Sequence, residues 1–392
     1  MIRTLLFSTL YPSSSRPMHG LFVETRLREL LKSGEVETQV VAPVPWFPFP
    51  GERFGEYGRF AATPRFERRN GVEVHHPRYF LPPKVGMHVA PYTLARGALP
   101  VVRQLIRDGF DFDLIDAHYY YPDGVAAGLL AEWLGKPFVV TARGTDLNLI
   151  ARYAVPRRLI LRTAGQAFAS IGVSKALVDK LACLGAVREK LRVFRNGVDL
   201  ERFRPEAKSA ARRRLGLGAG RILLSVGNLV ELKGHHIAIE ALPGLPSDVS
   251  LVIAGSGPER QKLEQRADDL HVRDRVLFAG GIDNQELRWW YSAADALVLC
   301  SSREGWPNVL LEAMACGVPA IATNVGGVPE IIMNPVAGRI MENRTPQALV
   351  DACQRLFSDR HDAVAVRAFA EGFGWDLTTR AQIGLFREIM GG

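Results

Sequence analysis

The chain has 392 residues, 47% of them hydrophobic and 23% charged, which is an ordinary globular composition. Because the length is about twice that of a typical domain, it predicts two domains. No stretch of 18 consecutive apolar residues occurs, so the sequence excludes a helix that spans a membrane. The four cysteines are widely separated and form no C-x-x-C pair, a spacing typical of reduced thiols in a cytoplasmic protein.

The positive charge is concentrated in the first half of the chain. Of the formal net charge of +8, residues 1–204 hold 29 Lys and Arg against 19 Asp and Glu, and the remainder holds 20 against 22. This favours an anionic surface or acceptor for the first half alone. Two segments are suited to anionic lipid, and the charge favours that interpretation over a solvated helix face and a packed loop. They contain Arg152, Arg157, Arg158 and Arg162, and Trp46, Phe47 and Phe49.

Apolar strands alternate with helical patterns along the whole chain. The candidate strands of the first half are Ile2–Ser8, Glu37–Val41, Val72–His75, Leu114–Ala117, Phe138–Thr141, Ala167–Val173 and Leu191–Phe194. Those of the second half are Ile222–Val226, Val249–Ala254, Val276–Ala279, Ala296–Leu299, Ala320–Thr323 and Gly338–Met341. The helices between them include Val23–Lys32, Val125–Leu134, Val173–Leu184, Pro258–Leu270 and Gln285–Ala293. Continuous apolar strands predict parallel sheets buried on both faces, so the fold class is α/β with a doubly wound sheet formed twice.

The most informative motif contains two glutamates eight residues apart, Glu304 and Glu312, with Gly-Trp-Pro directly after the first. Pro307 suits the first position of a helix, and the residues from Asn308 to Cys316 are good helix formers. Glu304 is therefore predicted just before a helix N-terminus and Glu312 about one and a half turns inside it. Between them lie free backbone N–H groups and the positive end of a helix dipole, which suit a phosphate. The arrangement fits a ligand that is part sugar and part phosphate.

This pattern resembles the paired-glutamate signature of the retaining glycosyltransferases of family 4, also called glycosyl transferases group 1. The resemblance implies two facing Rossmann-like domains (the GT-B fold) with an interdomain cleft, and a member similar to those of polysaccharide biosynthesis. It also implies that Glu304 contacts the donor sugar, that Glu312 holds the ribose hydroxyls, and that the elbow with Trp306 and the amides of Asn308 and Val309 binds the donor diphosphate.

The domain boundaries follow from turn signals and from the same resemblance. Asn-Gly and Arg-Pro mark the two ends of the segment 196–205, and its wording N-G-V-D-x-x-x-F-x-P resembles the interdomain linker of the family. We therefore expect an acceptor-binding domain at 1–197 and a nucleotide-sugar-binding domain at 205–372. Residues 373–392 resemble the closing helix of the family, which packs back on the first domain.

Further donor-binding candidates lie in loops at the carboxyl ends of strands, where parallel sheets bind ligands. Lys233 can supply a point charge to the diphosphate, whereas Asn228 stands where the family usually has an arginine. Gly255 belongs to an A-G-x-G-P turn, Ile282 follows the next strand, and Gly20 resembles the glycine loop that touches the donor phosphate. A strand-to-helix loop with one solvated lysine is the alternative for the Lys233 segment, and for Gly255 it is a turn in which Pro258 simply begins the next helix. For Ile282 a purely structural role is nearly as favourable.

The acceptor-binding candidates of the first half are His118, Arg143 and Asp146. His118 ends a predicted strand and could contact either the acceptor or the donor sugar, with a structural histidine as the equal alternative. Many family members have a histidine where Arg143 stands, and an arginine cannot act as a base. It can instead bind a phosphate or carboxylate of the acceptor through two hydrogen bonds. The proposed catalytic residues are Glu304, Lys233 and His118.

No metal or other cofactor is expected, because the nucleotide sugar is a co-substrate. The sequence Asp111-Phe112-Asp113 imitates the D-x-D metal motif of another glycosyltransferase architecture. It precedes a strand, however, and would lie at the amino edge of the sheet, away from the expected ligand site. We therefore reject it as a metal site.

The sequence thus predicts a cytoplasmic, metal-independent, retaining glycosyltransferase that can lie on the inner face of the plasma membrane. It would move a hexose-like sugar from a nucleotide diphosphate to a hydroxyl of a glycan or lipid-linked acceptor, with no role for nucleic acid. Two alternatives remain open at this stage. They are a non-catalytic sensor or assembly partner, suggested by Asn228 and Arg143, and a nucleotide-sugar epimerase of the same build.

Overall fold

The computed structural model describes residues 1–82, 86–359 and 362–391. The chain forms two compact units. The first unit comprises Met1–Arg195 together with the chain from Asp376 onwards, and the second comprises Asn196–Trp375.

The described residues of the first unit form ten strands. They are β1 Ile2–Phe7, β2 Val36–Val41, β3 Val44–Pro45, β4 Phe66–Arg69, β5 Val72–His75, β6 Arg78–Tyr79, β7 Leu114–His118, β8 Phe138–Ala142, β9 Ala169–Gly172 and β10 Leu191–Val193. Its helices are α1 Leu21–Leu31, α2 Gly55–Ala62, α3 Gly86–Arg107, α4 Val125–Leu134, α5 Thr145–Asn148, α6 Ala154–Gln166 and α7 Lys175–Cys183.

The second unit contains six strands and eight helices within its described residues. The strands are β11 Arg221–Val226, β12 Val249–Ala254, β13 Val276–Gly280, β14 Ala296–Leu299, β15 Ala320–Thr323 and β16 Gly338–Met341. The helices are α8 Lys208–Leu215, α9 His235–Ala241, α10 Arg260–Asp269, α11 Leu287–Ala293, α12 Asn308–Ala315, α13 Val328–Ile331, α14 Pro346–Ser358 and α15 Ala363–Glu371. The last helix, α16 Trp375–Ile389, buries Ile383, Leu385 and Phe386 in the core of the first unit. Gly392, the end of the predicted closing segment, lies outside the described residues.

The first-unit sheet has the strand order β10-β9-β8-β7-β1-β2-β5-β4, and every pairing is parallel except that of β4 with β5. All five residues of β7 and all five of β8 are buried, as expected for strands covered on both faces. The predicted strands are confirmed. Three short strands were missed, because β3 and β6 have only two residues each and β4 is a polar edge strand.

The second-unit sheet is parallel throughout, with the order β13-β12-β11-β14-β15-β16. Its central strands and the helices that cover them form one apolar core, in which Leu223, Leu251, Val298 and Ile321 are buried. The predicted strands of this half are confirmed, which establishes the doubly wound α/β class for both units.

Each sheet has a topological switch point, where successive strands are added to opposite sides of a starting strand. In the first unit it lies between β1 and β7, and in the second between β11 and β14. The loops that follow such a pair diverge and leave a crevice at the carboxyl ends of the strands, which is where doubly wound sheets bind ligands. We call these places the first-unit edge and the second-unit edge.

One local prediction needs correction. Pro307 is the residue before α12 rather than its first helical position, because its ψ of 92° is extended. The segment 43–57, which carries Trp46, Phe47 and Phe49, contains β3, the 3₁₀ turn Glu52–Phe54 and the start of α2. Among the described residues, no helix is both long and apolar enough to cross a bilayer.

Candidate active site

The loop after β11 is held against the neighbouring loops by glycines that approach backbone closely. A Cβ on Gly234, whose φ is +70°, would lie 2.1 Å from the Cys300 carbonyl oxygen. A Cβ on Gly255 would lie 1.8 Å from the Gly227 oxygen. Only glycine fits these contacts. They bring Lys233, at the end of the 3₁₀ turn Glu231–Lys233, next to the loop that follows β14.

Lys233 and Glu304 form an ion pair at the second-unit edge. Lys233 Nζ donates to Glu304 Oε1 at 2.7 Å, and the hydroxyl of Ser301 donates to the same oxygen at 2.7 Å. The Lys233 side chain is 25% exposed and that of Glu304 is 10% exposed. The ammonium therefore lies beside the switch point with a hydrogen-bonded carboxylate and partial access to solvent. The sequence predicted both side chains, but not their contact and not Ser301.

The backbone of Glu304 is fixed by a third loop, which follows β15. Gly326 has a φ of +52°, and a Cβ at this position would lie 1.9 Å from the Glu304 carbonyl oxygen. A larger residue would move Glu304. The loops after β11, β14 and β15 thus determine together where the carboxylate lies.

The N-terminus of α12 provides backbone donors beside Glu304. No side chain among the described residues caps this helix, and Leu310 N–H donates to the Pro307 carbonyl. The N–H groups of Asn308 and Val309 come earlier in the first turn, where backbone donors have no carbonyl one turn before them in the helix. They are the amides that the sequence assigned to a diphosphate, and the dipole of α12 adds positive potential there.

Glu312 lies on the same helix and contacts α11. The Tyr291 hydroxyl donates to Glu312 Oε2 at 2.7 Å. Burial raises the pKa of the Glu312 carboxyl to about 7, although the Tyr291 hydrogen bond and the charge of Arg202 oppose the shift. The carboxyl therefore titrates near neutral pH. Sequence reasoning missed Tyr291, which is one buried position of a helix with no polar pattern to single it out.

Trp306 is buried, and its indole N–H donates to the Asn196 carbonyl at 3.0 Å. Its ring also packs near Phe373, at 6.3 Å between centroids. The side chain therefore holds the Gly-Trp-Pro elbow in place. A donor-binding role for Trp306 would have to act through the backbone of this elbow.

The other donor candidates of this unit differ in how they are presented. The Asn228 side chain is exposed, while its carbonyl accepts from Nε2 of His235 at 3.2 Å. Burial lowers the pKa of His235 to about 4, so this histidine is a neutral support of the loop. Ile282 is half-buried after β13, the edge strand of the sheet. Gly255 joins the loops as described above.

At the first-unit edge, Asp123 joins the β7 loop to the β1 loop. Its carboxylate accepts from the Thr9 N–H at 2.7 Å, from the Thr9 hydroxyl at 3.0 Å and from the Ser8 hydroxyl at 3.2 Å. Burial raises the pKa of Asp123 to about 7, against the effect of these hydrogen bonds. The side chain is fully buried, so it supports the edge rather than presenting a charge.

Asp146 connects the β7 and β8 loops in a similar way. It accepts backbone N–H groups from Tyr120 at 2.8 Å, Gly144 at 2.7 Å, Leu147 at 3.1 Å and Arg143 at 3.1 Å. Burial raises the pKa of Asp146, and the four amides oppose the rise. The carboxylate is fully occupied by its own chain. An acceptor-binding role for Asp146 would therefore have to act through the loops that it joins.

His118 is buried between a carboxylate and a guanidinium. Its Nε2 lies 3.3 Å from Asp116 Oδ2, and Arg143 Nη2 contacts its Nδ1. Burial lowers the pKa of His118 to about 4, although Asp116 raises it. Arg143 is partly exposed, and its guanidinium also lies over the Phe22 ring at 5.2 Å. Of these two predicted residues, Arg143 is the one that reaches solvent.

Gly20 is the residue before α1 and has a φ of +70°. A Cβ there would lie 2.3 Å from the Leu10 carbonyl oxygen, so glycine is required by the close approach of the β1 loop. His19, beside it, contacts the Thr9 carbonyl through Nε2 at 3.1 Å.

No group of three or more His, Cys, Asp or Glu side chains that could hold a metal ion occurs among the described residues. Asp113 Oδ2 accepts the backbone N–H of Arg3 at 2.7 Å, and Asp111 pairs with Lys136. The D-x-D sequence therefore stabilises the amino edge of the first-unit sheet.

Comparison with known proteins identifies the family. Residues 19–202 match the model of Glycosyltransferase Family 4, and residues 208–372 match that of Glycosyl transferases group 1. The chain is 32% identical over 360 residues to TuaC of Bacillus subtilis, assigned as a teichuronic acid biosynthesis glycosyltransferase, with 90% of this chain and 89% of TuaC covered. The chain therefore belongs to the group 1 glycosyltransferases of family 4, and it is a glycosyltransferase.

Solved structures share its fold over the whole length. Sucrose-phosphate synthase of Thermosynechococcus elongatus matches with a TM-score of 0.80 and 20% identity, over 100% of this chain and 99% of that chain. Alr3699/HepE of Anabaena, solved in complex with UDP-glucose, matches with a TM-score of 0.74 and 19% identity, over 99% of this chain and 100% of that chain. The α/β architecture with two parallel-sheet domains is that of the GT-B glycosyltransferases.

Proposed function

We propose that this protein is a retaining, metal-independent glycosyltransferase that uses a nucleotide-diphosphate sugar and transfers the sugar to a hydroxyl of a growing glycan or lipid-linked acceptor. One observation carries the proposal. At the second-unit edge, Lys233 and Glu304 form a 2.7 Å ion pair next to the uncapped N-terminus of α12. A cation, a carboxylate and helix amides are the groups that a sugar diphosphate requires.

The ion pair prepares each partner for a different part of the donor. When a diphosphate approaches, the Lys233 ammonium can exchange the carboxylate for phosphate oxygens, since it is a flexible point charge with three donors. Glu304 is then free to accept hydrogen bonds from the sugar hydroxyls, with its position maintained by Ser301. Neutralisation of Lys233 by Glu304 also limits the cost of holding a charge that is only 25% exposed.

The reaction breaks the bond between the anomeric carbon and the diphosphate oxygen and forms a bond from that carbon to the acceptor oxygen. Negative charge grows on the departing diphosphate, where Lys233 and the Asn308 and Val309 amides would stabilise it. The acceptor proton passes to the leaving phosphate oxygen, so no protein base is required. This agrees with the occupied nitrogens of His118. We propose retention because the paired-glutamate motif is that of the retaining members.

Metal independence follows from the same charges. In metal-assisted transfer a divalent cation neutralises the diphosphate. Here an ammonium and a helix N-terminus provide positive charge at the corresponding place, and we propose that they are sufficient. Transfer should therefore persist in excess EDTA.

The relatives support the choice of donor and acceptor class. Alr3699/HepE was solved with UDP-glucose, which supports a nucleoside-diphosphate hexose as donor. TuaC is assigned to teichuronic acid biosynthesis, which supports a polymeric or lipid-linked acceptor for this chain.

A lipid-linked acceptor would place the first unit at an anionic membrane surface. Trp46, Phe49 and Tyr57 are exposed by 55%, 54% and 49%, and Tyr57 packs against Phe47 in a tilted arrangement, at 5.4 Å between ring centroids. The arginines of the α6 region are exposed as well: Arg152, Arg157, Arg158 and Arg162. Exposed aromatic rings and exposed arginines on the same unit favour an anionic interface. The protein should sediment with vesicles that contain phosphatidylglycerol but not with phosphatidylcholine vesicles, and a double Trp46→Ser, Phe49→Ser variant should lose this binding.

The central test is a transfer assay with the Glu304→Gln variant. A thermal-shift series with UDP-, GDP- and ADP-sugars first identifies the donor, because binding to the folded state raises the unfolding midpoint. We expect Glu304→Gln to keep the wild-type fold and lose about a hundredfold in transfer rate. The matched control is Glu259→Gln, which removes a solvent-facing carboxylate of the same unit that pairs with Lys262.

Three outcomes would contradict the proposal. Full transfer by Glu304→Gln would remove the role of that carboxylate. Binding of a nucleotide sugar without turnover, in the presence of lipid-linked and glycan acceptors, would favour a sensor. Formation of an epimerised nucleotide sugar without acceptor would favour an epimerase.

A further inference from the structure

A buried chain of polar side chains runs through the first unit from the C-terminal helix to the first-unit edge. Arg26 Nε donates to Gln382 Oε1 at 2.8 Å, and Gln382 Nε2 donates to Asp116 Oδ2 at 2.7 Å. This series of contacts continues from Asp116 to His118 and from His118 to Arg143. The first four side chains are at most 2% exposed, and Arg143 is the one partly exposed residue among the five.

Arg143, the last of these five side chains, determines the direction of the hydrogen bonds next to it. An arginine can only donate, so His118 Nδ1 must accept from the Arg143 guanidinium. His118 is then neutral with its proton on Nε2, which donates to Asp116. Burial alone would raise the pKa of Asp116, but His118, Arg26 and Arg143 together hold it below its ordinary value. Burial also lowers the pKa of Arg143, yet a guanidinium stays protonated in proteins.

We propose that Gln382, Asp116 and His118 are positioning residues that orient the Arg143 guanidinium, and that this guanidinium binds an anionic group, phosphate or carboxylate, of the acceptor. The assignment of the anion to an acceptor rests on the proposed function. His118, which sequence reasoning placed among the catalytic residues, acts in this account through Arg143, because both of its ring nitrogens already have partners within the unit.

These contacts connect Gln382, on the last helix, with the side chains of the first-unit edge. Gln382 is the only described side chain of α16 that donates to Asp116. The amide fits this place because it accepts from Arg26 and donates to Asp116 at the same time. A glutamate could not donate, and an apolar residue would remove one hydrogen bond from Arg26 and one from Asp116 in a buried place, which is costly.

The experiment observes His118 directly, with the full chain labelled with ¹⁵N in its nine histidines. His118→Gln assigns the signal. In the wild type we expect the two nitrogen shifts of a neutral ring with Nε2–H, unchanged between pH 5.5 and 8. Inorganic phosphate should move the Nδ1 signal in a saturable manner, because it recruits the guanidinium that donates to this nitrogen. Arg143→Met should abolish the response.

Two variants of the C-terminal helix separate positioning from stability. Gln382→Met keeps the volume but removes the bonds to Arg26 and Asp116. Because Asp116 then loses a group that holds it in place, we expect a shifted His118 Nε2 signal and a roughly tenfold weaker phosphate response. Thr378→Val, one turn earlier on α16, removes a buried hydrogen bond to the Arg195 carbonyl and leaves the chain of side chains intact. It should lower the unfolding midpoint but change neither His118 readout. Asp116→Asn should resemble Gln382→Met if the latter fails to fold.

The outcomes distinguish this inference from the proposed function. A His118 signal and a phosphate affinity that are the same in Gln382→Met, Asp116→Asn and the wild type would overturn the positioning role. The absence of any phosphate response in the wild type would overturn anion binding at Arg143. A normal His118 result without detectable glycosyl transfer would instead contradict only the proposed function.

Discussion

The first-unit edge and the second-unit edge are built on the same topology but use their polar groups differently. In the first unit, Asp123 and Asp146 are buried and receive hydrogen bonds from their own loops. In the second unit, Lys233 pairs with Glu304, Ser301 donates to the same carboxylate oxygen, and both charged side chains keep some exposure. The switch point of the first unit thus carries buried carboxylates that are hydrogen-bonded to their own loops. That of the second unit carries an ion pair that can exchange partners.

The difference shows which edge is prepared to exchange partners. A carboxylate that accepts four backbone amides loses too much to release them for a ligand. An ion pair can be replaced by a more favourable anion at little cost, because the ligand supplies a new partner for the cation. Changes at Lys233 and Glu304 should therefore reduce activity more than stability, and changes at the buried carboxylates Asp123 and Asp146 should do the reverse.

The largest effect is expected for Lys233→Ala. It removes the cation that opposes the growing charge of the diphosphate, so we expect the transfer rate to fall by about a thousandfold. The unfolding midpoint should hardly change, since the side chain is partly exposed. Lys262→Ala is the control, because it also removes an ion-paired lysine of this unit. A large loss of stability without a loss of transfer rate would contradict the difference proposed between the two edges.

Asp146→Ala should have the opposite signature. Four backbone N–H groups would lose a buried acceptor, which we expect to cost about 3 kcal/mol in the free energy of unfolding. Hydrogen exchange should show the opening confined to the first unit. Asp179→Ala removes an exposed partner of Lys175 on α7 and should cost only about 0.5 kcal/mol. Equal costs in the two variants would show that Asp146 does not join these loops.

The Glu312→Gln variant should show how much folding stability the wild type loses by holding a buried carboxylate at the second-unit edge. The native carboxyl has a pKa of about 7 against an ordinary value of 4.5, so the folded state binds more protons between these values. Wild-type stability should therefore fall as the pH rises from about 4.5 to 7 and then level off.

The Gln variant cannot ionise at this position, so it should gain on the order of 2 kcal/mol over the wild type at pH 8 and nothing at pH 4. Denaturant unfolding at both pH values measures this difference. The donor should bind the variant more weakly at pH 8, if the carboxylate accepts the ribose hydroxyls. Equal stability of the two proteins at pH 8 would contradict the raised pKa.

The smallest effect is expected for Gly326→Ala, compared with Gly280→Ala. Both glycines have positive φ, at +52° and +74°, so both substitutions strain the backbone. Only a Cβ at position 326 meets the Glu304 carbonyl, whereas that at position 280 has no neighbour within 4 Å. We expect an extra cost of about 1 kcal/mol for Gly326→Ala. Gly326→Ala should also have a lower transfer rate than Gly280→Ala. Equal rates in the two variants would show that the β15 loop does not determine the position of Glu304.

Sequence reasoning located most elements, because the strands are continuous apolar runs and the helix around Glu312 has a clear start and stop. It missed β4, whose residues are polar at the sheet edge, since a strand of this kind owes its formation to the neighbour β5. It selected Lys233, Glu304 and Arg143 by residue type and motif. The roles of these residues remain predictions until variants are measured.

The amino-acid sequence by itself determined the doubly wound class, the order of strands and helices, and the placement of two glutamates around a helix N-terminus. These features depend on local patterns of about ten residues. Tertiary structure alone decided that Lys233 meets Glu304, 71 residues away, and that Gln382 meets Asp116, 266 residues away. Such contacts depend on how strands pair and helices return, and no local preference of the chain encodes a partner at that distance.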